Sequence, residues 1–247
     1  MKADPFAQLK LLDVQALDAK ADQLRHQRSH LPELAEIATL TAQRKELDDQ
    51  ARDARIVVDD LAAAQAKADA DVEQVKARRT RDRDRMDSGA ITNPKDLERM
   101  QHELASLERR ISTLEDEELE VMEQLEAAQA ALTRVTEQLS AVDIRMADLV
   151  AARDEKTAAL DVELESVVAE RAPAVAGMPE DLLALYDRLR ASKHGVGAAE
   201  LRQRRCSGCQ LTIDHAELAI IRAKPTDEVV RCEECQRILV RTGESGL

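Results

Sequence analysis

Aromatic side chains are almost missing from this chain: one Phe (Phe6), one Tyr (Tyr186) and no Trp in 247 residues. That excludes a globular core filled by rings, the usual source of bulk at this length. Glycine and proline are scarce too, at seven and six. Together these shortages point to long helices packed through Leu, Val, Ile and Ala. No apolar run approaches membrane-spanning length, so no membrane partner is expected. The opening Met1-Lys2-Ala3-Asp4-Pro5 has no apolar signal core, which argues against export and for a cytoplasmic protein. Positive charge is in deficit, with 36 Lys/Arg against 49 Asp/Glu and a net charge of −13. Such a chain cannot wrap nucleic acid with its whole surface. The deficit is uneven, because residues 186–247 carry eleven Lys/Arg against nine Asp/Glu.

Only four cysteines are present, in two pairs: Cys206-Ser207-Gly208-Cys209 and Cys232-Glu233-Glu234-Cys235. They read C-x2-C-x22-C-x2-C. A two-residue spacer lets both thiolates of one turn face one ion, and two such turns complete a tetrahedral zinc site. One structural Zn²⁺ per chain is the cofactor this predicts. Four thiolates fill the coordination sphere and leave no position for water or substrate. The competing reading, two redox CxxC pairs, lacks the βαβ setting such pairs use. Paired thiols of this spacing also fit a reducing cytosol.

From Leu97 a seven-residue register persists. One row runs Leu97, Leu104, Ile111, Glu118, Leu125, Leu132, Leu139, Met146, and the other from Met100 through Leu107 and Leu114 to Leu149. Only Glu118 is not apolar, so this is a coiled-coil seam. A partner seam runs from Ile37 to Val75, interrupted by Arg44 and Gln65. Leu17, Leu24 and Leu31 precede it, and Pro32 divides the two stretches with a kink or a new helix start. Between the seams, Gly89 allows a reversal, Asn93 caps and Pro94 opens the next helix. The arms, residues 5–86 and 94–171, match in length, which argues for one antiparallel hairpin. A hairpin returns the chain to its start, so the cysteine unit is expected beside the N-terminus. The reversal itself, with Ser88, Gly89, Asn93, Pro94 and Lys95, is a candidate docking tip, or simply a capped turn.

Pro173 to Pro179 is predicted to break the long helix, and Glu180 to Lys193 to form a short one. Ala198 to Arg205 reads as a strand into the first knuckle, with Ile213 on the return strand. Asp214-His215-Ala216-Glu217 reads as a capping box for a helix through Ala223. The fold class is therefore mainly α: a long antiparallel coiled-coil hairpin (residues 1–175) followed by a short helix and a small C4 zinc ribbon (residues 176–247).

Several segments resemble a bacterial family that combines a coiled-coil hairpin with a C-terminal C4-type zinc ribbon. They are Leu185-Tyr186-Asp187-Arg188-Leu189-Arg190, Gly195-Val196-Gly197, both cysteine knuckles, Asn93-Pro94-Lys95-Asp96-Leu97 and Gln101-His102-Glu103-Leu104. The resemblance covers essentially the whole chain. It implies a non-enzymatic binding protein, with relatives linked to sigma-54 of RNA polymerase, to flagellar or type III secretion regulation and, in one case, to messenger RNA. The Ala/Arg/Asp-rich composition here is of a high-G+C, actinobacterial kind, and those partners are not carried over.

No Ser/His/Asp set, phosphate loop or paired-carboxylate motif stands out, and none of the five histidines makes a convincing ligand or base. No enzyme and no small-molecule substrate is expected. The basic residues Arg202, Arg204, Arg205, Arg231 and Arg237 around the knuckles could contact a partner or phosphates. Against this stand the absence of a clear basic excess and of aromatics for base stacking. The leading expectation is an adaptor or chaperone-like protein that binds a partner protein through its rod and ribbon. The alternative is a nucleic-acid-binding regulator using the ribbon's arginines.

Overall fold

A computed structural model describes all 247 residues. Five helices and four short strands follow in the order α1 (Pro5–Ser29), α2 (Pro32–Asp87), α3 (Pro94–Val175), α4 (Glu180–Ser192), β1 (Ala198–Arg202), β2 (Arg205–Cys206), α5 (His215–Ala223), β3 (Val230–Arg231) and β4 (Ile238–Arg241). No helix is long and apolar enough to cross a membrane. Helix starts follow local chemistry. The Asp4 carboxylate accepts the Phe6 N–H at 2.8 Å and Pro5 opens α1. Asn93 Oδ1 accepts the Lys95 N–H at 3.1 Å ahead of Pro94. Pro32 is the first residue of α2, so it starts a new helix. The break expected across Pro173 to Pro179 is there: α3 ends at Val175, Gly177 takes φ +75° in the turn that follows, and α4 starts at Glu180 after Pro179. Contacts group the chain into two compact units, residues 35–150 and residues 1–34 with 151–247, so the sequence boundary at residue 175 falls inside the second of these.

The unit of residues 35–150 is an antiparallel pair of helices. Its buried stripe includes Leu47, Ala51 and Val72 from α2 and Leu107, Ile111, Leu114, Leu125, Val142 and Leu149 from α3, all seam positions. Ion pairs cross between the helices beside the seam: Arg44–Asp143 at 2.6 Å, Lys76–Glu115 at 2.8 Å, Arg78–Glu103 at 2.6 Å and Arg145–Glu36 at 2.9 Å. Glu118, the one polar seam residue, is half-buried. Its carboxyl is held above the usual carboxylate range, first by a shared hydrogen bond with Asp69 and then by desolvation.

In the second unit a four-stranded sheet of order β2-β1-β4-β3 packs between two clusters of side chains. Strand alternation divides them. Ala198, Ile238 and Val240 face Leu11 and Val14 of α1 and Leu182, Tyr186 and Leu189 of α4. Ala199, Leu201, Val230 and Leu239 face Leu218 and Ile221 of α5 and the buried sulfurs of Cys206 and Cys232. β1 and β4 run parallel, in register from Ala198–Ile238 to Leu201–Arg241. The N-terminus joins this unit directly, since the Ala3 N–H donates to the Asp227 carbonyl at 2.8 Å. The expected return strand at Ile213 reduces to one bridge, between Arg205 and Thr212. Asp214 does cap α5, by accepting the His215 N–H at 2.7 Å rather than forming the reciprocal box with Glu217.

Candidate metal centre

The two knuckles are built alike, residue for residue. In the first, the Gln210 N–H donates to the Cys206 carbonyl at 2.8 Å. In the second, Gln236 does the same to Cys232 at 2.9 Å. Both glutamines sit in the left-handed region, at φ +63° and +65°. Each turns its side-chain amide back to the carbonyl inside the knuckle, Gln210 to Ser207 at 2.6 Å and Gln236 to Glu233 at 2.8 Å. The residue before each first cysteine closes the turn from outside. Arg205 donates to the Gln210 carbonyl at 2.9 Å and Arg231 to the Gln236 carbonyl at 2.9 Å. The motif is thus Arg-Cys-x2-Cys-Gln, present twice, a longer signal than the cysteines alone and legible as an internal repeat.

This folding brings Cys206, Cys209, Cys232 and Cys235 together, with all four Sγ atoms within 4.8 Å of one another. Cys206 and Cys235 are 3.8 Å apart at sulfur, and Cys209 and Cys232 are 3.9 Å apart. A tetrahedron with zinc–sulfur bonds of about 2.3 Å has sulfur–sulfur edges of about 3.8 Å, the separation of these two pairs, so the donor set fits Zn²⁺. Burial pushes the Cys206 and Cys232 thiols up. Burial acts in the same direction on Cys235, but hydrogen bonds led by the Arg237 backbone N–H outweigh it and bring the thiol down to about 7. The ion must therefore displace protons from the two buried thiols when it binds, as thiolate sites require. With four sulfurs around it, the ion holds the two knuckles together.

The remaining arginines named from sequence also have partners inside the unit. Arg237 spans three carbonyls, Val196 at 3.0 Å, Lys193 at 3.0 Å and Gly208 at 3.2 Å. Arg202 pairs with Glu244 at 2.8 Å, and Arg204 donates to the Gly246 carbonyl at 3.2 Å. Arg241 donates to five carbonyls between Ile221 and Glu228. These side chains tie down loops around the metal.

A buried ionic cluster supports the ribbon from the helical side. Asp18, 4% exposed, receives Arg171 Nε at 2.8 Å and the Tyr186 hydroxyl at 2.8 Å. Arg171 reaches on to Asp187 at 3.1 Å, and Arg190 to Asp22 at 2.5 Å. Beside it the Gln15 amide accepts the Gly197 N–H at 2.7 Å and donates to the Gly195 carbonyl at 3.0 Å. So Tyr186, Asp187 and Arg190 of the short helix all bind α1 or α3. Asp18 and Gln15 were missed because a lone polar residue in a helix gives no signal until its partners, some 150 residues on, are known.

The hairpin-tip residues stay together. Ser88 bonds the Arg85 carbonyl at 3.0 Å, Gly89 takes φ +72°, Asn93 caps, Pro94 follows, and the Lys95 side chain is exposed. Beside them lies a cleft of about 550 Å³, whose walls include Arg78, Arg85, Ile91, Asp96, Arg99 and Met100.

The hairpin and the ribbon match known families. Residues 14–194 fit the CT398-like coiled coil hairpin domain, and residues 205–239 the C4-type zinc ribbon domain. The chain belongs to the CT398-like coiled coil hairpin family. These are coiled-coil and zinc-ribbon families, not enzyme families. Among its relatives, an uncharacterized protein of Mycobacterium tuberculosis is 37% identical over 241 residues, 98% of each chain. Another, from Mycobacterium leprae, is 29% identical over 228 residues, 88% of this chain and 93% of its own. A solved Mycobacterium smegmatis structure superposes with a TM-score of 0.83 at 34% identity, covering 98% of this chain and 100% of that one. CT398 of Chlamydia trachomatis superposes with a TM-score of 0.69 at 19% identity, covering 96% and 98%, and shares the fold.

Proposed function

We propose that this protein is a non-enzymatic, zinc-stabilised adaptor that works in the cytoplasm and binds partner proteins through its coiled-coil hairpin and ribbon. The observation that carries the reading is the closed donor set. Four cysteine sulfurs converge on one point, so the ion has no open position for a substrate and its role is to hold a surface in shape. The ribbon arginines favour the same reading over nucleic-acid binding. Arg204, Arg205, Arg231 and Arg237 donate to backbone carbonyls, and Arg202 is paired with Glu244. The surface offered to partners includes, beside the ribbon, the exposed turn of the hairpin at Ser88, Gly89, Asn93, Pro94 and Lys95. Capture from native cytosol, split into nuclease-treated and untreated halves, tests this. The adaptor reading expects a defined protein retained after nuclease. Recovery of RNA or DNA, with proteins lost on nuclease treatment, would replace it with the nucleic-acid reading.

A further inference from the structure

The middle of the hairpin concentrates the negative charge of the chain. Residues 56–75 of α2 carry five Asp/Glu and one Lys, and residues 111–133 of α3 carry seven Asp/Glu and no Lys or Arg. That is an excess of eleven acids in a chain of net charge −13. The two stretches lie side by side, since Lys76 meets Glu115 at 2.8 Å and Asp69 shares a hydrogen bond with Glu118. Interhelical ion pairs stand at either end, at Arg44–Asp143 and Lys76–Glu115. None joins the helices between them, and Asp69, Glu118, Glu123 and Glu126 form no ion pair.

The seam is also open there. Leu47, Ala51 and Val72 of α2 are buried, but Ala54, Val58, Leu61, Gln65 and Ala68 between them are only half-buried. On α3, Leu125 is the one buried residue between Leu114 and Val142. Beside this opening, Glu115, Leu119, Met122 and Glu126 follow at intervals of four, three and four, which makes them one ridge of α3. Leu119 is 57% exposed and Met122 42%. Ala62, Ala66, Asp69 and Lys76 share one face of α2 by the same spacing. The Lys76–Glu115 pair joins the two ridges, so they border one groove. A hollow of about 370 Å³ marks it, with walls that include Gln65, Leu119, Met122, Leu125 and Glu126. Ala62 and Ala66, both exposed, leave room for a third helix to come close.

We infer that this groove seats one helix of a partner protein, amphipathic and cationic, laid along the hairpin as a third strand of the coil. Its apolar stripe covers Leu119, Met122 and the half-open seam, and its flanking Lys or Arg side chains meet Asp69, Glu118, Glu123 and Glu126. This is the helix-in-groove mode of recognition. The contact between Asp69 and Glu118 calls for such an occupant. Two carboxyls face each other there, and Glu118 is held above the usual carboxylate range, a conflict that an added cation relieves. The same charge rules out other occupants. Nucleic acid and an anionic lipid surface are repelled by the acid excess, and a second copy laid stretch on stretch sets acid against acid. The inference rests on the adaptor reading and gives the chemistry of the partner.

A labelled synthetic peptide of about 18 residues, long enough to span the stretch, tests it. Its leucines recur at i, i+3, i+4 and i+7, and its other residues are lysine. Fluorescence anisotropy with the full-length, zinc-loaded protein should show saturable binding. A scrambled peptide of the same composition should bind about tenfold more weakly or worse, and the Leu/Glu counterpart should not bind. The double variants Leu119→Gln/Met122→Gln and Glu123→Lys/Glu126→Lys, with helicity as the folding control, should each weaken the Leu/Lys peptide by about tenfold or more. Ile144→Gln, at an exposed apolar site outside the stretch, should not. No binding by the wild type, equal affinity for the scrambled peptide, or binding unchanged in either folded double variant overturns the inference. So does a doubled mass in sedimentation that the double variants abolish, which would give the groove to a second copy. Capture from native cytosol separates this from the adaptor reading. A protein retained equally by the wild type and both double variants leaves that reading standing and takes the groove out of it. No protein retained by the wild type sinks the adaptor reading, and this inference with it.

Discussion

Tyr186, the only tyrosine, is spent on a contact that titrates. Burial first, and then its hydrogen bond to the Asp18 carboxylate, push its hydroxyl well above the ordinary value of about 10. A group whose folded pKa is raised contributes stability that is complete below its unfolded value and lost as pH rises toward the folded one. The wild type should therefore lose stability above about pH 10. Tyr186→Phe should be weaker by about 1–3 kcal/mol near neutrality, since Asp18 loses a donor, and should show a shallower alkaline decline. Urea midpoints measured from neutral to alkaline pH decide it, and parallel curves for the two proteins would refute the assignment. Glycines divide in the same way. A Cβ on Gly197 would lie 2.6 Å from the Tyr186 carbonyl oxygen, so Gly197→Ala forces backbone apart and should cost about 1–3 kcal/mol or more. Gly89, with nothing within 4 Å of such a Cβ, meets only the backbone strain of φ +72°, about 1–2 kcal/mol, so Gly89→Ala should leave the midpoint of the ribbon unit unchanged.

Elements differed in how far the sequence exposed them. The heptads of α3 were readable because a stripe repeated many times outweighs one exception at Glu118. The start of α3 was readable because Asn93 and Pro94 are local signals. Its end was readable too: Pro173 to Pro179 reads as a break, and the helix stops inside it, at Val175, after carrying Pro173 in its last turn. The four metal ligands were legible from spacing alone. Their scaffold was less so, because strands of two to five residues carry too few alternations to register, and the parallel pairing of β1 with β4 joins segments about 40 residues apart. The role of α1 was also hidden. Its Leu17 and Leu24, with Val14 and Ala21 in register and Leu31 just beyond the helix, read as another piece of seam, whereas Leu11 and Val14, both fully buried, belong to the core beneath the sheet. Leu11→Ala should accordingly cost about 2–5 kcal/mol, like other buried leucines. The loss should appear in hydrogen exchange of β1, β4 and α4. A change confined to α1 would show that this helix is not part of the ribbon's core.

At the scale of the whole molecule, the question is how far zinc's stabilisation spreads. Structural zinc sites couple about 10–16 kcal/mol of binding to folding. Here the strands that carry the knuckles also roof the cluster formed with α1 and α4. Ile238 and Val240 touch that cluster while Leu239, between them, faces the sulfurs, so β4 cannot loosen on one side alone. Replacing Cys206 and Cys209 with Ser removes two of four thiolates and should abolish stoichiometric zinc. It should melt the ribbon and release α1 and α4, which hold 25 and 13 helical residues. The unit of residues 35–150 has its own seam and its own interhelical ion pairs, and no contact within it depends on a cysteine. Its helices should persist, so ellipticity at neutral pH should fall only by a minor part and the remainder should melt as a separate transition. An unchanged spectrum would mean that α1 and α4 hold without the metal. Loss of most of the helical signal would mean that the hairpin depends on the ribbon to fold.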